Sequence, residues 1–142
     1  MTYHFQNPDQ ETIKNYITSS KTIAVVGLSN RTETAAYKVA KVMQDAGYTI
    51  LPVNPKLAGE QILGETVYAR LQDITEPIDI VDVFRRSEFL PDVARDFVAT
   101  KARIFWAQLG LENEEAEAIL RQHGVDDIVM NKCLKIEYQA LN

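Results

Sequence analysis

Five short peptides, each following an apolar run, hold the side chains best suited to grip a charged ligand. They are Gly27-Leu28-Ser29-Asn30-Arg31, Asn54-Pro55-Lys56, Phe84-Arg85-Arg86, Gln108-Leu109-Gly110 and Asn131-Lys132-Cys133. Arg31, Lys56, Arg85, Arg86 and Lys132 are cations, and Lys38 follows the first peptide closely enough to join them. Ser29 adds a hydroxyl donor. Cations beside the free N–H groups of a helix start suit phosphates, because the side-chain charge and the helix dipole both favour an anion. The first loop narrows the kind of phosphate ligand. A dinucleotide fingerprint needs Gly-x-Gly-x-x-Gly and an acid after the next strand. Here only Gly27 stands, Ser29 and Thr32 occupy the other two glycine positions, and Asn54-Pro55 replaces the acid. No Gly-Lys-Ser/Thr follows Gly27, so the P-loop pattern is missing as well. The expected ligand carries phosphates held by a looser loop.

The remaining reactive side chains read mainly as structural. Cys133 is the single thiol, close to Lys132 and Lys135, cations of the kind that activate a thiol. The competing reading, a small buried hydrophobe, is the favoured one. One cysteine excludes an internal disulfide, and one cysteine with two histidines leaves few soft ligands for zinc or an iron–sulfur cluster. His4 lies near the terminus, and His123 closes a helical stretch, where its charge suits the dipole better than it suits catalysis. Asp79 and Asp82 both lie within the apolar run at 79–84; Asp82 reads as a carboxylate paired with a loop N–H or an arginine, with a buried base as the alternative. Trp106 reads as core. Glu112, Glu114, Glu115 and Glu117 crowd a helix start, which the dipole favours without any metal.

These peptides must be positioned by elements, and the apolar spacing shows which. Asn7-Pro8-Asp9-Gln10 reads as an N-cap, a proline at the first helical position and a glutamine at the third, with Ile13, Tyr16 and Ile17 forming a narrow stripe. Residues 23–26 are a continuous apolar run, the mark of a strand buried on both faces. Ala36, Val39, Ala40 and Met43 repeat at helical spacing, Gly47 closes that helix, and residues 49–53 form a second strand. Strand, helix and strand together occupy about thirty residues, the length of a right-handed βαβ crossover. Residues 62–68 read as a short excursion. Strands follow at 79–84, 103–107 and 127–130. Helices are expected around Leu90, Val93, Ala94, Phe97 and Val98, and around Ala116, Ile119 and Leu120 behind an Asn113 cap. Such alternation predicts a doubly wound α/β domain, a parallel sheet of about five strands in three α/β/α layers. Ligands of such sheets sit outside the carboxyl ends of the strands, where all five peptides fall.

Composition sets the outer limits. The chain has 142 residues, enough for one core and too few for two comfortable domains. With 46% hydrophobic and 25% charged residues it falls in the range of folded domains rather than disordered chains. Its net charge of -5 argues against general nucleic-acid binding. The first residues lack a signal-peptide pattern, and the longest apolar stretches, about five residues, fall far short of the ~20 a membrane helix needs. The expectation is a cytoplasmic protein with neither a membrane nor a nucleic-acid partner.

Seven pieces in order resemble a known family: Ile23-Ala24-Val25-Val26-Gly27-Leu28-Ser29, Tyr37-Lys38-Val39-Ala40, Leu51-Pro52-Val53-Asn54-Pro55, Ile62-Leu63-Gly64-Glu65, Val81-Asp82-Val83-Phe84-Arg85-Arg86, Trp106-Ala107-Gln108-Leu109-Gly110 and Met130-Asn131-Lys132-Cys133-Leu134-Lys135-Ile136-Glu137. Together they are similar to the stand-alone CoA-binding domain proteins, small relatives of the N-terminal domain of the succinyl-CoA synthetase α subunit. The resemblance implies a Rossmann-like fold that binds coenzyme A, with residues 1–20 as an N-terminal helical extension and 21–142 as the CoA-binding domain. It places Gly27, Leu28, Ser29 and Asn30 at the CoA phosphates and Lys56 on a phosphate. It sets Val83, Phe84 and Arg85 on the adenine side, with Arg86 continuing that run. Arg31, Tyr37, Lys38, Asn54 and Pro55 complete the expected set. Ala36 departs from the pattern, since many relatives carry serine there. The larger relatives do their chemistry in a second domain, so the expectation is binding of CoA or an acyl-CoA without catalysis. A mixed disulfide between Cys133 and the CoA thiol is an open alternative for that cysteine. A nicotinamide-dependent enzyme and a regulatory subunit with a degenerate ligand site are the alternatives for the whole chain. The thin apolar face of the first helix is compatible with a homodimer.

Overall fold

The computed structural model describes residues 2–141. Met1 and Asn142, the outer bounds of the two expected segments, lie outside the described residues. Five parallel strands make the central sheet: β1 (Thr22–Val26), β2 (Thr49–Val53), β5 (Ile80–Val83), β6 (Ile104–Ala107) and β7 (Ile128–Val129), in the order β2-β1-β5-β6-β7. A small antiparallel hairpin, β3 (Gln61–Ile62) with β4 (Glu65–Thr66), interrupts the alternation where the sequence indicates an excursion. The helices are α1 (Gln10–Thr18), α2 (Ala35–Asp45), α3 (Leu90–Val98), α4 (Glu114–Gln122) and α5 (Leu134–Gln139). Pleat alternation divides each strand between two cores. Ile23, Val25, Ile50, Ile80, Ile104 and Trp106 face α1, α2 and α5, while Ala24, Val26, Leu51, Val81, Val83 and Phe105 face α3 and α4. The result is the expected three-layer Rossmann-like α/β/α arrangement. Its strands are buried on both faces because helices cover both.

The chain steps from β1 out to β2, then returns to β5 on the other side of β1. This reversal opens a crevice between the carboxyl ends of β1 and β5.

Two local expectations need correction, and one element goes unforeseen. The first concerns α1, whose N-cap is Asp9, accepting from Thr12 N at 2.8 Å, rather than Asn7. Asn7 is engaged elsewhere: its Nδ2 donates to Met130 O at 2.8 Å and its Oδ1 accepts from Met130 N at 3.0 Å. A long-range pair of bonds to backbone next to the edge strand β7 displaces the local cap. The unforeseen element is α5, which the spacing does not show. It has no side-chain cap and only Leu134 buried, too little pattern to read. The second correction concerns Asp82, which has neither of its expected partners. It sits in β5 between Val25 and Trp106, 1% exposed, and neither carboxyl oxygen meets a hydrogen-bond partner among the described residues. Burial therefore pushes its carboxyl well above the ordinary value of 3.8.

Asp79, at the opposite end of β5, takes the partners Asp82 lacks. Its carboxylate accepts from Lys21 N at 2.7 Å and Thr22 N at 3.2 Å and pairs with Arg103 at 3.1 Å. Burial works to raise its pKa, but these donors outweigh it and hold the group below its usual value.

Candidate functional site

Gly27 marks the switch point. Its N–H donates to Val53 O at 2.9 Å and its φ is +89°, a conformation that side chains with a Cβ rarely adopt. A Cβ there would lie 2.9 Å from Phe84 O, so the loops after β1 and β5 meet backbone to backbone only because this residue is glycine. From there the chain turns through Ser29, whose Oγ accepts from Arg31 N at 3.0 Å, to Thr34, which caps α2 by accepting from Tyr37 N. On the neighbouring strand, Asn54 fixes the turn after β2. Its Oδ1 accepts from Lys56 N at 2.9 Å and its Nδ2 donates to Leu28 O at 3.1 Å.

Two grooves open at this edge, one on each side of the sheet. The first, about 370 Å³, lies towards α3 and takes in Gly27, Asn54, Pro55, Lys56, Arg70 and Arg85. The second, about 540 Å³, lies towards α2 and α5 and takes in Lys38, Phe84, Arg85, Arg86, Gln108 and Cys133. Arg85 lines both and so bridges them over the edge of the sheet.

The six cations singled out in the sequence divide by partner. Arg31 pairs with Glu33 at 3.2 Å and Arg86 with Glu88 at 3.6 Å. Lys38, Lys56 and Arg85 have no carboxylate within ion-pair range among the described residues, and all three line a groove. Arg85 rests its guanidinium 4.6 Å from the Phe89 ring centroid, which orients it without neutralising it. Lys132 lines neither groove; its carbonyl accepts from Trp106 Nε1 at 2.8 Å.

Of the expected binding set, the structure brings Gly27, Lys38, Asn54, Pro55, Lys56, Phe84, Arg85 and Arg86 to the grooves. Leu28 and Val83 instead bury their side chains in the two cores, so only their backbone reaches the edge. Ser29, Asn30, Arg31 and Tyr37 stand beside the grooves without lining them. Ala36, the departure from the family pattern, is buried on α2. Arg70 and Ile136 are groove residues that sequence reasoning missed. Arg70 lies outside any strand-end peptide, and Ile136 belongs to the unforeseen α5. The histidines are occupied elsewhere. His4 lies 3.0 Å from Glu112, and His123 Nδ1 sits 2.9 Å from Ile119 O. No group of three metal-ligating side chains occurs among the described residues, and no helix there is long and apolar enough to cross a membrane.

Comparison with known proteins places this geometry in a family. The chain is 49% identical over 133 residues to the Bacillus subtilis protein YneT, covering 94% of this chain and 96% of that one. A Thermus thermophilus structure superposes with a TM-score of 0.90 at 34% identity, over 95% of this chain and 100% of that one. A Pyrococcus horikoshii structure does so with 0.88 at 31%, over 98% and 99%. A dinucleotide-forming acetyl-coenzyme A synthetase of Ca. Korarchaeum cryptofilum shares the fold, with a TM-score of 0.65 at 18% identity, over 78% of this chain and 26% of that larger protein. Residues 21–139 match the family described as the CoA binding domain, and the chain belongs to that family.

Proposed function

We propose that this protein binds coenzyme A or an acyl-CoA without turning it over. In this reading the phosphates lie in the first groove and the adenine lies against the end of β5. The observation that carries it is the convergence of Lys56 and Arg85, both without carboxylate partners, on the glycine at the switch point. Among the described residues the groove holds one carboxylate, Asp96, but Lys56 and Arg85 form no ion pair, and such cations on a glycine-lined edge suit a ligand that supplies its own negative charge. The placement of both histidines away from the grooves supports binding rather than chemistry. A nicotinamide dinucleotide fits less well, because Asn54 occupies the place of the ribose-binding acid and uses its carboxamide to hold the turn.

Titration calorimetry with CoA tests the proposal. Binding without product formation is expected, and Lys56→Ala and Arg85→Ala should each cost about 1.5–3 kcal/mol, the range for a hydrogen bond to a charged group. No heat at millimolar CoA overturns the reading. So does a larger thermal shift with NAD(P) than with CoA.

A further inference from the structure

The second groove is built differently from the first. Leu109 and Ile136 are the large apolar side chains most open to solvent among the described residues, 62% and 51% exposed, and both line it. Val39, Phe84 and Leu111 continue the apolar wall. Leu109 is not a loose loop residue. Gly110 N donates to Asn131 Oδ1 at 2.7 Å, Leu111 N to Gln108 O at 2.9 Å and Asn131 N to Leu111 O at 3.0 Å, so the turn that presents it is clamped to the segment after β7. Exposing two such side chains costs hydrophobic free energy, and placing both on one concavity concentrates the cost where a ligand can relieve it. A polar group accompanies them. Gln108 is only 6% exposed; its Oε1 accepts from Leu134 N at 3.0 Å, and its Nε2 has no acceptor among the described residues. An apolar wall carrying one amide donor, in a groove that Glu33, Lys38, Arg85, Arg86 and Lys135 also line, suits a carbonyl attached to a hydrocarbon chain.

We infer that this groove holds the acyl chain of an acyl-CoA thioester, so that the protein takes CoA carrying an apolar acyl group in preference to free CoA. The inference rests on the placement of the phosphates in the first groove. Among the described residues Arg85 alone lines both grooves, and Gly27 lets the loops after β1 and β5 touch there. The pantetheine arm passes over this saddle between β1 and β5, and the thioester carbonyl accepts from Gln108 Nε2. The volume of about 540 Å³ is that of a small-molecule site rather than of a single buried side chain.

Calorimetry with CoA, acetyl-CoA, butyryl-CoA, octanoyl-CoA and succinyl-CoA tests it. Affinity should rise along the acyl series by up to about fourfold for each methylene that leaves water, the fold-change equivalent to ~0.8 kcal/mol per buried methylene. The double variant Leu109→Ser/Ile136→Ser, altered only at exposed positions, should reduce octanoyl-CoA affinity towards that of acetyl-CoA. CoA binding with no gain along the series overturns this inference and leaves the phosphate site standing. Succinyl-CoA binding more tightly than butyryl-CoA also overturns it, in favour of a carboxylate recognised by Lys38 or Lys135. Dimerisation abolished by the double variant, with no chain-length effect, assigns the groove to a second copy of the chain instead. Absence of binding by every thioester and by CoA overturns both readings.

Discussion

At the scale of single residues, Asp82 and Gly27 show how far a side chain's meaning depends on its neighbours. Asp82 is a carboxylate sealed into an apolar face with both oxygens unpartnered. Its folded-state pKa lies above its unfolded value of 3.8, so its contribution is most favourable below that pH and is lost as pH rises through the folded value. Asp82→Val removes the orphaned oxygens and keeps a β-branched side chain in the strand. It should raise stability at pH 7 by about 1–3 kcal/mol, the cost of an unsatisfied buried polar group. The gain should shrink as pH falls towards 3.8. Thermal unfolding of both proteins between pH 3 and 7 checks this, and parallel profiles contradict it. Gly27→Ala meets two obstacles together, a positive φ and a backbone oxygen 2.9 Å from the new Cβ. It should cost about 1–3 kcal/mol in chemical denaturation and weaken CoA binding, because the loops after β1 and β5 must part.

At the scale of elements, the N-terminal segment illustrates a local signal overridden by a distant one. Asn7-Pro8 has the composition of a helix start, but the carboxamide of Asn7 reaches both backbone groups of Met130. Tyr3 reinforces the attachment by donating to Glu117 at 2.6 Å, and Phe5 is buried in the α3/α4 core. Asn7→Ala should therefore destabilise the protein by more than Asp9→Ala does. The first removes two part-buried long-range hydrogen bonds, worth about 0.5–1.5 kcal/mol each. The second removes one exposed cap. Denaturant midpoints of the two variants decide the matter, and equal losses would show that Asn7 acts only locally. The long helices and the continuous apolar strands could be read directly, since 3.6-residue and buried-strand patterns need no partner to be recognised. The α5 helix could not, because six residues with a single buried position carry no period.

At the scale of the whole molecule, charge is distributed against its sum. The net charge is -5, yet among the described residues the groove cations without carboxylate partners, Lys38, Lys56, Arg85 and Lys135, stand along one edge of the sheet. If that edge holds phosphates, CoA affinity should fall steeply between about 0.1 M and 1 M salt, as the screening length contracts from ~10 Å to ~3 Å. Calorimetry across that range checks it, and salt-independent binding contradicts the phosphate site. The sequence alone determined the five-strand alternation, the two-faced burial of the strands and the peptides that end at the carboxyl edge of the sheet. These depend on periodicity and on chain order, which are local. Tertiary structure alone decided which side chains at that edge are available. It paired Arg31 and Arg86 with nearby glutamates and left Lys56 and Arg85 without carboxylate partners. It turned Leu28 and Val83 inward and brought Ile136 from an unforeseen helix to the groove that Leu109 lines. Availability is a property of what stands opposite a side chain in space: a glutamate two positions along the chain for Arg31 and Arg86, but separate strands and helices for Leu28, Val83 and Ile136.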